Sequence, residues 1–154
     1  MAARNRGDYF EQKLSGLAQS KTAPTLKFMK SCSILIVDDE PELRDLISCV
    51  LMEAGHQVTC AENGIEAGKA YANQKFDVVL TDVIMPEKDG MQVIGDLRRK
   101  HPDVKIIAMS GGGHVSRDQY LKIAKGLGAH AVLEKPFTNQ DLVRLIEQLV
   151  TKPA

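Results

Sequence analysis

The chain has 154 residues, 44% of them hydrophobic and 26% charged, the balance of an ordinary soluble globular domain. Its 20 basic and 20 acidic residues cancel, which excludes a global basic field for nucleic acid. No apolar run approaches the ~18 residues of a membrane span, and the N-terminus lacks the apolar segment of a secretory signal, so the expected location is the cytoplasm.

The N-terminal stretch, residues 1–30, differs from the rest of the chain. It holds six basic residues against two acidic ones. Tyr9 to Leu17 has Phe10, Leu14 and Leu17 near helical spacing, and Pro24 marks a linker. Met29 directly precedes strand-like sequence and would serve as a start site. Residues 1–30 therefore read as a leader or flexible arm, and residues 31–154 as one folded domain. The cysteines Cys32, Cys49 and Cys60 are odd in number and lack paired spacing, so they are expected as small core residues in a reducing compartment.

Regular patterning begins at Ser33. Ser33–Val37 is a continuous β-branched run, as in a strand covered on both faces. Pro41 suits a first helical turn, and Leu43, Leu46, Ile47, Val50 and Leu51 follow at helical spacing before Gly55 stops the helix. A short strand over Gln57–Ala61 leads to a helix over Asn63–Asn73, with Ile65, Ala67, Ala70 and Tyr71 as its apolar positions. Strands are predicted at Asp77–Thr81, Val104–Met109 and His130–Leu133. Helices are predicted at Met91–Arg99 and Ser116–Leu127, and after Thr138, which is placed to cap the last one. Five strand–helix alternations predict an α/β, flavodoxin-like three-layer sandwich. Its five-stranded parallel sheet would have the order 2-1-3-4-5.

In such sheets ligands bind beyond the carboxyl ends of the strands. There the sequence collects Asp38-Asp39 after strand one, Asp82 after strand three, Ser110 after strand four and Glu134-Lys135 after strand five. Taken singly, an Asp-Asp pair is often a helix cap and a Lys-Pro pair a turn. All four at one edge are harder to explain that way. Clustered carboxylates need a cation to stay ionised together, and a hard-oxygen set without histidine or thiolate suits Mg²⁺ or Mn²⁺. A carboxylate can attack phosphorus, with a lysine and a hydroxyl to receive phosphoryl oxygens.

These segments resemble the receiver domains of two-component response regulators over about residues 33–151. Ile34–Glu40 is similar to their acidic opening, Asp82–Gly90 to their phosphoacceptor segment, Ser110 to their hydroxyl position after strand four, and Gly128-Ala129 with Lys135-Pro136 to their closing signature. The resemblance implies that Asp82 accepts a phosphoryl group from a histidine kinase or a histidine phosphotransfer protein. It implies Asp39, Asp82 and the Ile84 backbone carbonyl as direct Mg²⁺ ligands, with Asp38 acting through water. Lys135 would contact the phosphoryl group, Pro136 would follow a cis bond, and Ser110 would carry the signal.

Three positions depart from the family pattern. Ile84 stands where a polar residue is frequent and would slow hydrolysis of the aspartyl phosphate. Val132 replaces the usual aromatic switch residue. Gly111-Gly112-Gly113 replaces a stiffer loop. Only Lys152, Pro153 and Ala154 follow the last helix, so the sequence reads as a stand-alone receiver or one excised from a larger regulator or hybrid kinase. The resemblance implies as output a protein target bound through the helix 4–strand 5–helix 5 face, and no direct nucleic-acid contact is expected. A phosphatase with an aspartate nucleophile fits less well, because it needs a second acid one residue removed on the same strand. A flavodoxin-like ligand binder would lead from its first strand into a phosphate loop rather than two carboxylates.

Overall fold

The computed structural model describes residues 30–83, 90–111 and 116–151. The elements are β1 (Ser33–Val37), α1 (Pro41–Glu53), β2 (Gln57–Ala61), α2 (Gly64–Asn73), β3 (Val78–Asp82), α3 (Gly90–Lys100), β4 (Lys105–Ser110), α4 (Arg117–Leu127), β5 (Ala131–Glu134) and α5 (Asn139–Thr151). The five strands are parallel in the order β2-β1-β3-β4-β5. This is the flavodoxin-like α/β sandwich expected from the alternation.

The three layers follow from the two-residue period of the strands. Leu35, Val37, Val79, Ile106 and Ala108 face one way and pack with Ala67 and Tyr71 of α2, Val93, Ile94 and Leu97 of α3 and Ala124 of α4. Their strand neighbours Ile34, Ile36, Val78, Leu80, Ile107 and Met109 face the other way, onto Ile47 and Leu51 of α1 and Leu142 and Ile146 of α5. Both faces are covered, which is why β1, β3 and β4 read as unbroken apolar runs.

Four apolar assignments differ from expectation. Leu46 is 53% exposed and Ile65 is 56% exposed. The buried stripe of α1 runs through Ile47 and Leu51, and that of α2 through Gly64, Ala67 and Tyr71, so each of these two side chains lies off the stripe. Cys32 is buried, but Cys49 and Cys60 are exposed rather than core residues. Cys49 lies two residues from both Ile47 and Leu51, on the outer face of α1, and Cys60 lies on the edge strand β2, on the α1 side of the sheet, where it stays exposed.

The helix ends use local side-chain bonds. The Thr138 hydroxyl accepts from the Asp141 N–H at 3.1 Å, and the Asp141 carboxylate accepts the Thr138 N–H at 3.2 Å. Asn63 accepts the Glu66 N–H at 2.9 Å to start α2. Gly128 ends α4 at φ +100, a conformation glycine adopts without steric penalty. The leader assignment, residues 1–29 above all, lies outside the described residues. No helix among the described residues is long and apolar enough to cross a membrane.

Candidate phosphoacceptor site

Three strands were expected to end one residue earlier than they do. Asp82, Ser110 and Glu134 are the last residues of β3, β4 and β5, still paired in the sheet as Asp82↔Met109 and Ser110↔Glu134. Asp38, Asp39 and Lys135 lie just beyond strand ends. Sheet pairing at the rim gives Asp82 and Ser110 fixed backbones, and both are buried at 6% exposure.

Lys135 gathers the site. Its ammonium donates to Asp38 Oδ2 at 3.0 Å and to Asp82 Oδ2 at 3.1 Å, and lies 3.8 Å from Glu40 Oε1. The Lys135 N–H donates to the Ser110 carbonyl at 2.7 Å, which ties the start of the β5–α5 loop to the end of β4. The Lys135–Pro136 peptide bond is cis. Burial works against the ammonium, but its hydrogen bond to Asp38 and the charge of Asp82 outweigh it, so the Lys135 pKa lies above its ordinary value.

Asp38 is fully buried and does more than contribute charge. Its Oδ1 accepts the Glu40 N–H at 2.9 Å, which sets the turn from β1 into α1. Its own carbonyl accepts from the Arg44 guanidinium at 2.6 Å. Carboxylate oxygens of Asp38, Glu40 and Asp82 all lie within 4.8 Å of one another, whereas Asp39 is exposed and falls outside this cluster. The donor set is hard oxygen without histidine or thiolate, so these residues fit Mg²⁺ or Mn²⁺.

Two contributors carried no assigned role in the sequence. Glu40 closed the acidic opening segment without a role of its own, and Pro41 at the first helical turn makes it the α1 cap position. Gly90 packs on the Asp82 backbone, and its N–H donates to the Val83 carbonyl at 2.9 Å. Of the three departures from the family pattern, Val132 is half-buried against the α2–α4 face of the core, and Gly111 follows directly on β4. Ile84, Gly112 and Gly113 lie outside the described residues.

The family model for the response regulator receiver domain matches residues 34–147. The chain is a member of the receiver-domain family of two-component response regulators. Members of this family are signalling phosphoacceptors, take phosphoryl groups from histidine kinases and bind Mg²⁺ at acidic residues. The response regulator receiver protein CpdR of Brucella abortus is 32% identical over 117 residues, covering 76% of this chain and 95% of that protein. The transcriptional regulator NtrC of Azospirillum brasilense is 30% identical over 131 residues, or 82% of this chain. The chain spans only 26% of that NtrC and 25% of an NtrX-like relative from Rickettsia bellii. Among solved structures, the chemotaxis protein CheY4 of Vibrio cholerae superposes with a TM-score of 0.71 at 27% identity, covering 78% of this chain and 99% of that one.

Proposed function

We propose that Asp82 is the phosphoacceptor of this chain and that Asp38, Lys135 and Ser110 complete its reaction site. The observation that carries this reading is the Lys135 ammonium bridging the Asp38 and Asp82 carboxylates at 3.0 and 3.1 Å. One oxygen of Asp82 attacks the phosphorus of a phosphohistidine on a kinase or phosphotransfer protein. A P–O bond forms, the P–N bond breaks, and the imidazole leaves with the bonding pair and takes a proton. The catalysis is positioning and charge compensation rather than covalent chemistry by other side chains.

A divalent ion held at the carboxylates, Mg²⁺ or Mn²⁺, would neutralise charge on the phosphoryl oxygens. Lys135 turns from the bare Asp82 carboxylate to a phosphoryl oxygen of the product, and the Ser110 hydroxyl donates to another. Both groups emanate from neighbouring strand ends joined by the Lys135 N–H to Ser110 carbonyl bond, so a shift at the phosphate is passed to β5 and the α5 loop. The chain thus acts in the cytoplasm as a switch for protein–protein contacts through the α4–β5–α5 face, and not as an enzyme acting on an external substrate. With valine rather than an aromatic at Val132, the β4–β5 backbone link is the main route for that signal.

The test is transfer from a phosphohistidine donor. Incubation with a phosphorylated histidine phosphotransfer protein gives a hydroxylamine-labile phosphate on the chain, as expected of an acyl phosphate. Label that resists hydroxylamine, or no transfer from any such donor, contradicts the reading.

A further inference from the structure

We infer that Glu40 is a positioning residue for the divalent ion, completing the carboxylate set with Asp38 and Asp82. This inference rests on the metal-dependent reading of the site. Three observations lead to it. First, Glu40 occupies the cap position of α1 yet makes no side-chain cap bond, so its carboxylate is not used on the helix N-terminus beside it. Second, its backbone is extended and held there, by its N–H on Asp38 Oδ1 at 2.9 Å and by Pro41 at the first helical position. Third, its carboxylate turns toward the crevice, 3.8 Å from the Lys135 ammonium and within 4.8 Å of the ligand oxygens of both Asp38 and Asp82.

Charge explains why a group would gather there. Lys135 brings one positive charge to three carboxylates, two of them buried. A divalent cation offsets the remainder of this group of four. Glu40 is exposed, at 66% of its side chain, so it stands on the solvent side of the crevice and holds the ion from outside, directly or through one of the waters that Mg²⁺ keeps.

The experiment is calorimetric titration of Mg²⁺, and separately Mn²⁺, into the unphosphorylated full chain, with no phosphodonor present. Wild type, Glu40→Gln, Asp39→Asn and Asp82→Asn are compared, and urea unfolding in chelator follows each variant. Glu40→Gln is expected to weaken ion affinity by about ten-fold, at the low end for groups that support a metal. Its unfolding in chelator is expected to match wild type. An ion affinity within about two-fold of wild type in Glu40→Gln overturns the inference. So does a loss of stability in chelator with affinity intact, which would make Glu40 an anchor for Lys135 only. If Asp82→Asn binds the ion as tightly as wild type, the metal reading of the site fails, a result distinct from failure of Glu40 alone.

Discussion

Gly90 and Asp82 meet through backbone alone: a Cβ on Gly90 would lie 1.8 Å from the Asp82 carbonyl oxygen and 2.7 Å from its carbonyl carbon. Alanine in a helix normally gains about 1 kcal/mol over glycine. Here the obstacle is the backbone of β3 and cannot rotate away, so the clash decides the sign. Gly90→Ala is expected to lose about 1–3 kcal/mol, the usual scale of overpacking, read as a lower urea midpoint. Gly95→Ala and Gly126→Ala, where an added Cβ meets nothing within 4 Å, are expected to gain roughly 0.5–1 kcal/mol each. A Gly90→Ala midpoint at or above wild type contradicts the close approach.

Lys135 holds a buried negative charge in check. Replacing it with methionine leaves Asp38, at 0% exposure, without its ammonium. Breaking one partner of a buried pair costs roughly 3–5 kcal/mol, and a Lys135 side chain that is 15% exposed argues for the lower end. The double variant Lys135→Met with Asp38→Asn is expected to recover part of that loss, because the stranded charge is gone. Additive losses in a urea double-mutant cycle would contradict the pairing. Because the folded Lys135 pKa is raised, its contribution is fully present below the ordinary lysine value of 10.5 and is lost as pH rises through the raised value.

His56 and His130 fasten the two edge strands in the same way. His56, just before β2, accepts the Cys32 N–H on Nδ1 at 3.3 Å, and His130, just before β5, accepts the Ile106 N–H on Nδ1 at 3.1 Å. A protonated imidazole carries hydrogens on both nitrogens and cannot accept. Burial pushes the His56 pKa down against the pull of Glu147, and burial with the charges of Lys105 and Arg98 pushes His130 down. Both folded values therefore lie below the ordinary 6.5, and the unfolded chain binds more protons. Stability from these groups is present above pH 6.5 and is lost as pH falls through the lowered values. The expected loss for the His56 bond is about 1 kcal/mol. His56→Asn keeps an acceptor near the Nδ1 position without titrating and is expected to flatten the acid side of the urea midpoint curve. Imidazole titrations at or above 6.5 for both residues, followed by proton NMR, would contradict this.

Divalent ions are expected to stabilise the folded chain by mass action. At free Mg²⁺ about ten times its Kd, the gain is about 1.4 kcal/mol. Thermal unfolding with and without chelator measures it, and the gain is expected to vanish in Asp82→Asn. An equal gain in that variant would place the ion elsewhere.

The architecture was legible because both sheet faces are buried: Ile34–Val37, Val78–Leu80 and Ile106–Met109 can only be central strands in a sequence that alternates with amphipathic helices. Strand ends were legible to within one residue. Pairing of Asp82 with Met109 and of Ser110 with Glu134 extends the ladder into polar residues that hydrophobic patterning alone would leave outside. Leu46 and Ile65 were misplaced because a run of apolar residues does not say which of them the partner layer can reach. The same limit applies to Cys49 and Cys60. Polar site residues stood out through their common position at strand ends. Glu40 was visible as the end of the acidic opening, but its relation to Lys135 was not, since it spans most of the chain and depends on how α1 begins. Gly90 sat within a recognisable segment, but only the approach of its Cα to the Asp82 carbonyl gives it a reason.

The most direct measurement is intact mass after incubation with acetyl phosphate and Mg²⁺. One phosphoryl adduct is expected on the wild-type chain, formed only with the divalent ion and missing from Asp82→Asn. A wild-type chain that takes no phosphoryl group, or an adduct that persists in Asp82→Asn, would contradict Asp82 as the acceptor.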